Sequence, residues 1–189
     1  MDLLIEKIKT DGKLLPGNIL KVGSFLNHMI DSDLMAKIGD EISRLYAGTG
    51  VTKVLTIEAS GIAVALAAGM SMHVPMIFAK KHATSNISGD IYTAIVHSYT
   101  HGTDYHVAVE ADLLNKDDTV LIVDDFLANG QAIKGLVKIV EMSGAKLAGA
   151  AVCIEKGFQQ GGDELRSMGI RVESLARIKS MSDTEIIFY

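Results

Sequence analysis

VLIVDDFLANGQA, residues 120–132, sets four apolar residues directly before two adjacent carboxylates and a loop of small and amide side chains. Val120, Leu121, Ile122 and Val123 lack the alternation of a strand with one wet face. An unbroken apolar run bounded by polar residues is the pattern of a strand buried on both sides, as in a parallel sheet. Asp124 and Asp125 then stand at its carboxyl end, the edge where open α/β sheets bind ligands. The next apolar residues, Ile133, Leu136, Val137, Ile139 and Val140, fall at helical spacing. Ala128, Asn129, Gly130 and Gln131 therefore occupy a strand-to-helix turn, whose backbone amides form an anion site. Carboxylates beside an anion site point to a ligand that carries both hydroxyls and phosphate.

Working outward, the same alternation of elements recurs. VLTI (54–57) reads as a buried strand that runs through EASG into the helix IAVALAAGM. Pro75 to Ala79 begins another strand, and IYTAIVHSY and YHVAVE read as two strands or a long hairpin. AGAAVCIEK (148–156) is a further strand, followed by a short helix around Asp163–Met168 and a strand near Val172–Ile178. Before the first core strand, Leu3, Leu4, Ile5 and Ile8 predict a short helix stopped near Gly12. Residues 17–27 read as irregular, and Asp31 or Ser32 caps a helix to about Tyr46. Strands alternating with helices imply an α/β fold with a mostly parallel central sheet. Three strands end in polar clusters, EASG, DDFLANGQ and EKGF, which a parallel sheet gathers on one edge. No repeat or linker divides the 189 residues, so one domain, 1–189, is expected.

Composition narrows the function. The chain is 48% hydrophobic, but no apolar stretch reaches membrane-spanning length. MDLLIEKIKTDGK is not a secretory signal, so a cytoplasmic protein is expected and the sequon at Asn86-Ile87-Ser88 carries no meaning. A net charge of -5 argues against broad nucleic-acid binding. Cys153, the single cysteine, reads as a buried core thiol. There is no P-loop, no G-x-G-x-x-G after a strand and no G-x-S-x-G elbow. The six histidines (His28, His73, His82, His97, His101 and His106) form no zinc pattern, so no protein metal site is expected.

An apolar strand, paired acids and a small-residue loop resemble the signature of the type I phosphoribosyltransferases. EASGIA resembles that family's pyrophosphate loop, and Lys80-Lys81 its basic contact. GNILKVGSFLNHMID and CIEKGF extend the likeness along essentially the whole chain to the bacterial xanthine-using members. The resemblance implies a small N-terminal hood, a flexible hairpin cover at about 82–105, and a homodimer. It implies that Asp124 and Asp125 face the ribose hydroxyls, and that Ala128, Asn129, Gly130, Gln131 and Ala132 hold the 5′-phosphate. Ala59, Ser60 and Lys81 would hold pyrophosphate, while Leu20, Asn27 and Lys156 would contact xanthine. Mg²⁺ would arrive on phosphoribosyl pyrophosphate with few direct protein ligands. The loop departs from the commoner signature, having Asn129, Gln131 and Ala132 where hydroxyls and paired glycines are usual. Glu58 is placed in the pyrophosphate loop rather than as an acid or base. The alternatives are an adenine or hypoxanthine/guanine enzyme, or a non-catalytic sensor of phosphoribosyl pyrophosphate; the first fifty or so residues offer no basic recognition helix for the latter.

Overall fold

The computed structural model describes residues 1–81, 89–98 and 103–189. In chain order the elements are α1 (Asp2–Asp11), β1 (Lys13–Leu15), β2 (Ile19–Lys21), α2 (Ser32–Leu45), β3 (Lys53–Ile57), α3 (Gly61–Met72), β4 (Met76–Ala79), β5 (Ile91–Ser98), β6 (Thr103–Glu110), β7 (Thr119–Leu127), α4 (Gln131–Ser143), β8 (Lys146–Lys156), α5 (Gly161–Ser167), β9 (Val172–Met181) and β10 (Ile186–Phe188). Six strands form the main sheet in the order β10-β9-β8-β7-β3-β4. All neighbours are parallel except β10, which runs antiparallel to β9.

The apolar run of β7 is divided between two cores, as a period of two requires. Leu121 and Val123 join Ile38, Ile42, Val64 and Ala65 on the side of α2 and α3. Val120 and Ile122 join Leu136, Ile139 and Val140 of α4 on the other side. The strand does not stop at the acids. It continues to Leu127 because β8 is equally long, and Leu127 still pairs with Glu155. Asp124 and Asp125 are therefore strand residues, both 5% exposed, rather than residues of a solvated turn.

Other boundaries follow from local chemistry. Asp31 caps α2, its carboxylate accepting from the Leu34 amide at 3.1 Å. Pro75 precedes β4, and its carbonyl accepts from Val54 at 3.0 Å, so proline ends outside the ladder it helps align. Residues 17–27 are less irregular than expected, because β1 and β2 form a small antiparallel ladder. Gly17 and Asn18 both take positive φ at its turn, a conformation that suits these two residue types. β10 was not anticipated from the sequence.

The expected cover falls partly outside the described residues, at 82–88 and 99–102. Its strands, β5 and β6, pair antiparallel and are anchored by alternate apolar residues. Ala94, Val96, Val107 and Val109 are buried in the α4-side core. Gly135 permits the approach, since a Cβ there would meet Val96 Cγ2 at 2.5 Å.

Candidate active site

The polar ends of β3, β7 and β8 meet at one edge of the sheet, as parallel topology requires. Asp125 lies at the junction. Its Oδ1 accepts from the Ser60 hydroxyl at 2.9 Å, at the start of α3. Its Oδ2 accepts from the Asn27 amide, also at 2.9 Å, in the segment between β2 and α2. One carboxylate thus joins two of the expected substrate loops.

Asp124 has a different setting. Its Oδ1 accepts from the Asp125 amide at 3.0 Å. Burial, followed by the charge of Asp125, pushes its pKa well above the usual carboxylate value, while Lys81 pulls the other way. Near it, the wholly buried Thr56 hydroxyl has no hydrogen-bond partner among the described residues. Gly61 separates the two: a Cβ there would lie 2.2 Å from Thr56 Oγ1 and 2.7 Å from Asp124 Oδ1.

The turn after β7 is built for an anion. Gly130 sits at positive φ (73°) and caps α4 without any side-chain hydrogen bond, leaving first-turn amides available. Residues Phe126–Ile133, with Val96, His97 and Tyr105, surround a recess of ≈ 210 Å³. Ala128, Asn129, Gly130, Gln131 and Ala132 all line it. Asn129 and Gln131 also border a second recess of ≈ 260 Å³, with Gln159, Gln160, Gly161 and Glu164. There the loop before α5 rests on the turn after β7, glycine against glycine. The Gly161 amide donates to the Ala128 carbonyl at 3.2 Å. A Cβ at Gly161 would lie 2.3 Å from that oxygen, and one at Gly130 would lie 3.2 Å from Gly161 Cα.

Lys81 follows β4, and its amide donates to the Glu58 carboxylate at 2.7 Å, which ties the loop after β3 to the next strand. The Lys81 ammonium lies 5.3 Å from the centre of the Tyr105 ring. Ala59 and Ser60 are exposed in the intervening turn. Lys156 ends β8 and donates to the Asn18 carbonyl at 3.0 Å; burial holds its pKa below the ordinary lysine value. Leu20 is packed among core residues and is 8% exposed.

Three neighbours of these residues escaped the sequence reading. Asn18 meets Lys156 through a main-chain oxygen, which side-chain identity does not reveal. Tyr105 sits in the anion recess, its hydroxyl pKa raised by burial and by Asp124; only the alternation of YHVAVE signalled that it faces opposite His106. Thr56 looked like an ordinary strand residue.

A doubly bridged acid, an adjacent buried acid and an uncapped helix start thus meet on one sheet edge. Residues 22–169 match the phosphoribosyl transferase domain, and the chain belongs to the phosphoribosyltransferase family. Within it, the chain is 51% identical over 188 residues to the xanthine phosphoribosyltransferase of Bacillus licheniformis, covering 100% of this chain and 97% of that one. It is 50% identical to the xanthine phosphoribosyltransferase of Lactobacillus delbrueckii subsp. bulgaricus, with 100% of both chains covered. Among solved structures, adenine phosphoribosyltransferase from Rhodothermus marinus superposes with a TM-score of 0.76 at 19% identity, covering 94% of this chain and 99% of that chain. The Trypanosoma brucei adenine enzyme, in complex with AMP, pyrophosphate and ribose-5-phosphate, gives 0.78 at 19%, covering 96% and 82%. At such identities the structures establish the fold.

Proposed function

We infer that this chain, as one domain, is a xanthine phosphoribosyltransferase. It transfers the 5-phosphoribosyl group of phosphoribosyl pyrophosphate to xanthine, giving xanthosine 5′-monophosphate and pyrophosphate in purine salvage. The observation that carries the reading is Asp125, held between Ser60 on the pyrophosphate side and Asn27 on the base side, beside an uncapped helix start. Half-identity to xanthine enzymes along the full chain supports the choice of base.

The chemistry follows from the residues. Amides of residues 128–132 seat the 5′-phosphate, while Ala59, Ser60 and Lys81 receive the pyrophosphate. Ionised carboxylates accept only, so Asp125 and Asp124 suit the ribose diol. They also place negative charge by a ring that becomes cationic as the bond from C1′ to pyrophosphate breaks and that from C1′ to N9 forms. Lys156 faces the oxo edge of the purine and counters the charge of a xanthine anion; Asn27 and Leu20 complete the base seat. Among the described residues no group of three or more His, Cys, Asp or Glu side chains gathers to hold a metal. The oxygens of Asp124 and Asp125 fit a hard cation that keeps most of its waters, and they would hold Mg²⁺ brought by the diphosphate substrate. Bound there, Mg²⁺ would supply charge neutralisation for the departing pyrophosphate.

Initial rates with the four purines test the assignment. Lysine offers only donors, so adenine, with a donor at its 6-position, leaves Lys156 unpaired. Adenine is expected to react at least about 10²-fold more slowly than xanthine. A preference for adenine would overturn the reading.

The active form is a homodimer. α3 is apolar on its outer side, with Leu66 49% and Met70 68% exposed, and Phe78 is 38% exposed on the edge strand β4. A groove of ≈ 380 Å³ between α2 and α3 and a second, holding Leu66, Met70 and Met76, share Leu66 and Met70 and so form one patch. An apolar face of this kind suits a second copy of the chain. Sedimentation at twice 20.2 kDa is expected, with Leu66→Glu giving the single-chain mass; a wild-type monomer at micromolar concentration would reject the dimer. No helix of the described residues is long and apolar enough to cross a membrane. A cytoplasmic site of action belongs to the same proposal, as purine salvage requires.

A further inference from the structure

Lys156 is the last residue of β8, and the residue before it is among the most constrained in the protein. Glu155 is 1% exposed although charged. Arg166 on α5 donates to both of its oxygens, at 2.8 and 2.7 Å. Arg177 on β9 adds a bond at 3.0 Å, and the Ser174 hydroxyl supplies a fourth donor. Such a hub stabilises a buried carboxylate only while its donors stay in place.

Arg177 is itself held from outside. Its second nitrogen donates to Asp163 at 2.9 Å. Its guanidinium lies 4.6 Å from the centre of the Tyr189 ring, and the Tyr189 amide donates to the Arg177 carbonyl at 3.1 Å. The same stack closes over the residue after Lys156. A Cβ on Gly157 would meet Arg177 Nε and Tyr189 Cε2 at 3.0 Å each, and the Ile178 carbonyl at 2.9 Å. Lys156 thus has the Glu155 hub on one side and the Arg177–Tyr189 stack on the other. Its ammonium meanwhile reaches out to Asn18.

We propose that Arg177 and Tyr189 are positioning residues for Lys156, setting the affinity for the oxopurine without touching it. This rests on the reading of Lys156 as the base-site lysine. Tyr189 is 67% exposed, so its removal should cost the fold little, while the guanidinium loses the surface that orients it.

Steady-state kinetics on the full chain separate the possibilities. Tyr189→Ala is expected to raise the KM for xanthine about threefold to tenfold. The KM for phosphoribosyl pyrophosphate and the melting temperature should stay near wild type, and Tyr189→Phe should restore the xanthine KM. An unchanged xanthine KM in Tyr189→Ala, or equal rises for both substrates with a lowered melting temperature, would overturn the proposal. Lys156→Met, measured in parallel, must raise the xanthine KM more than Tyr189→Ala does. If Lys156→Met leaves that KM unchanged, the base-site reading fails and takes the proposal with it; if only Tyr189→Ala is silent, the positioning role alone fails.

Discussion

Asp125→Ala is expected to lower kcat/KM by about 10²- to 10³-fold, the usual loss on removing one preorganised polar group from a site where charge develops. The side chain accepts from Ser60 and from Asn27, so its removal leaves donors unpaired in both proposed substrate loops at once. Two consequences distinguish this loss from simple unfolding. The KM values for xanthine and for phosphoribosyl pyrophosphate should both rise, because each loop loses its anchor. Ser60→Ala and Asn27→Ala, taken singly, should each affect mainly one substrate. Steady-state kinetics with both substrates varied check this, and a defect confined to one substrate in Asp125→Ala would contradict the bridging role.

Asp124→Asn is expected to separate activity from stability. Activity should fall by about 10²-fold, since the neutral amide no longer offsets the cationic ring. Stability should rise at neutral pH. Burial, then Asp125, raises the folded-state pKa of Asp124 above its unfolded value. The folded chain therefore holds this proton more tightly than the unfolded chain. Stability from this group is complete below the unfolded value of about 3.9 and is lost as pH rises through the folded one. Asparagine has no such proton to lose, so it escapes this penalty. At pH 8 the variant should melt above wild type, by about 2–4 °C for each ~1 kcal/mol recovered in a domain of this size. The gap should close as pH falls towards about 4. Calorimetry across that range checks the sign; a variant less stable at every pH would show that Asp124 is not held against its solvation preference.

The sheet was legible because its strands are buried on both sides. Val120–Val123 and Ala150–Ile154 could not be half-exposed, and the helices between them carried unambiguous spacing. The convergence of EASG, DDFLANGQ and EKGF followed from parallel topology, and the family likeness supplied roles for residues that spacing alone left open. The boundaries that failed depended on partners distant in sequence. β7 outruns its apolar stretch because β8 pairs with it as far as Leu127. β10 is three residues long and exists by pairing with β9. Asn27 offered no local sign that it would reach Asp125, a residue 98 positions away. Glu155 read as one charge at a strand end, whereas its four donors come from α5 and β9. Neither the exposed apolar side of α3 nor its meaning could be separated from core by pattern alone, because an Ala-rich helix is apolar in every direction.

The glycine-on-glycine seam between Gly130 and Gly161 also bears on how a product is told from its fragments. With main chain pressed to main chain, the turn proposed to seat the phosphate and the stretch that follows Lys156 cannot drift apart or close up independently. The spacing between them is therefore a built-in gauge of molecular length. On the proposed reading, a nucleoside without its phosphate, or a base on a longer tether, would fill one jaw of that calliper and leave the other empty.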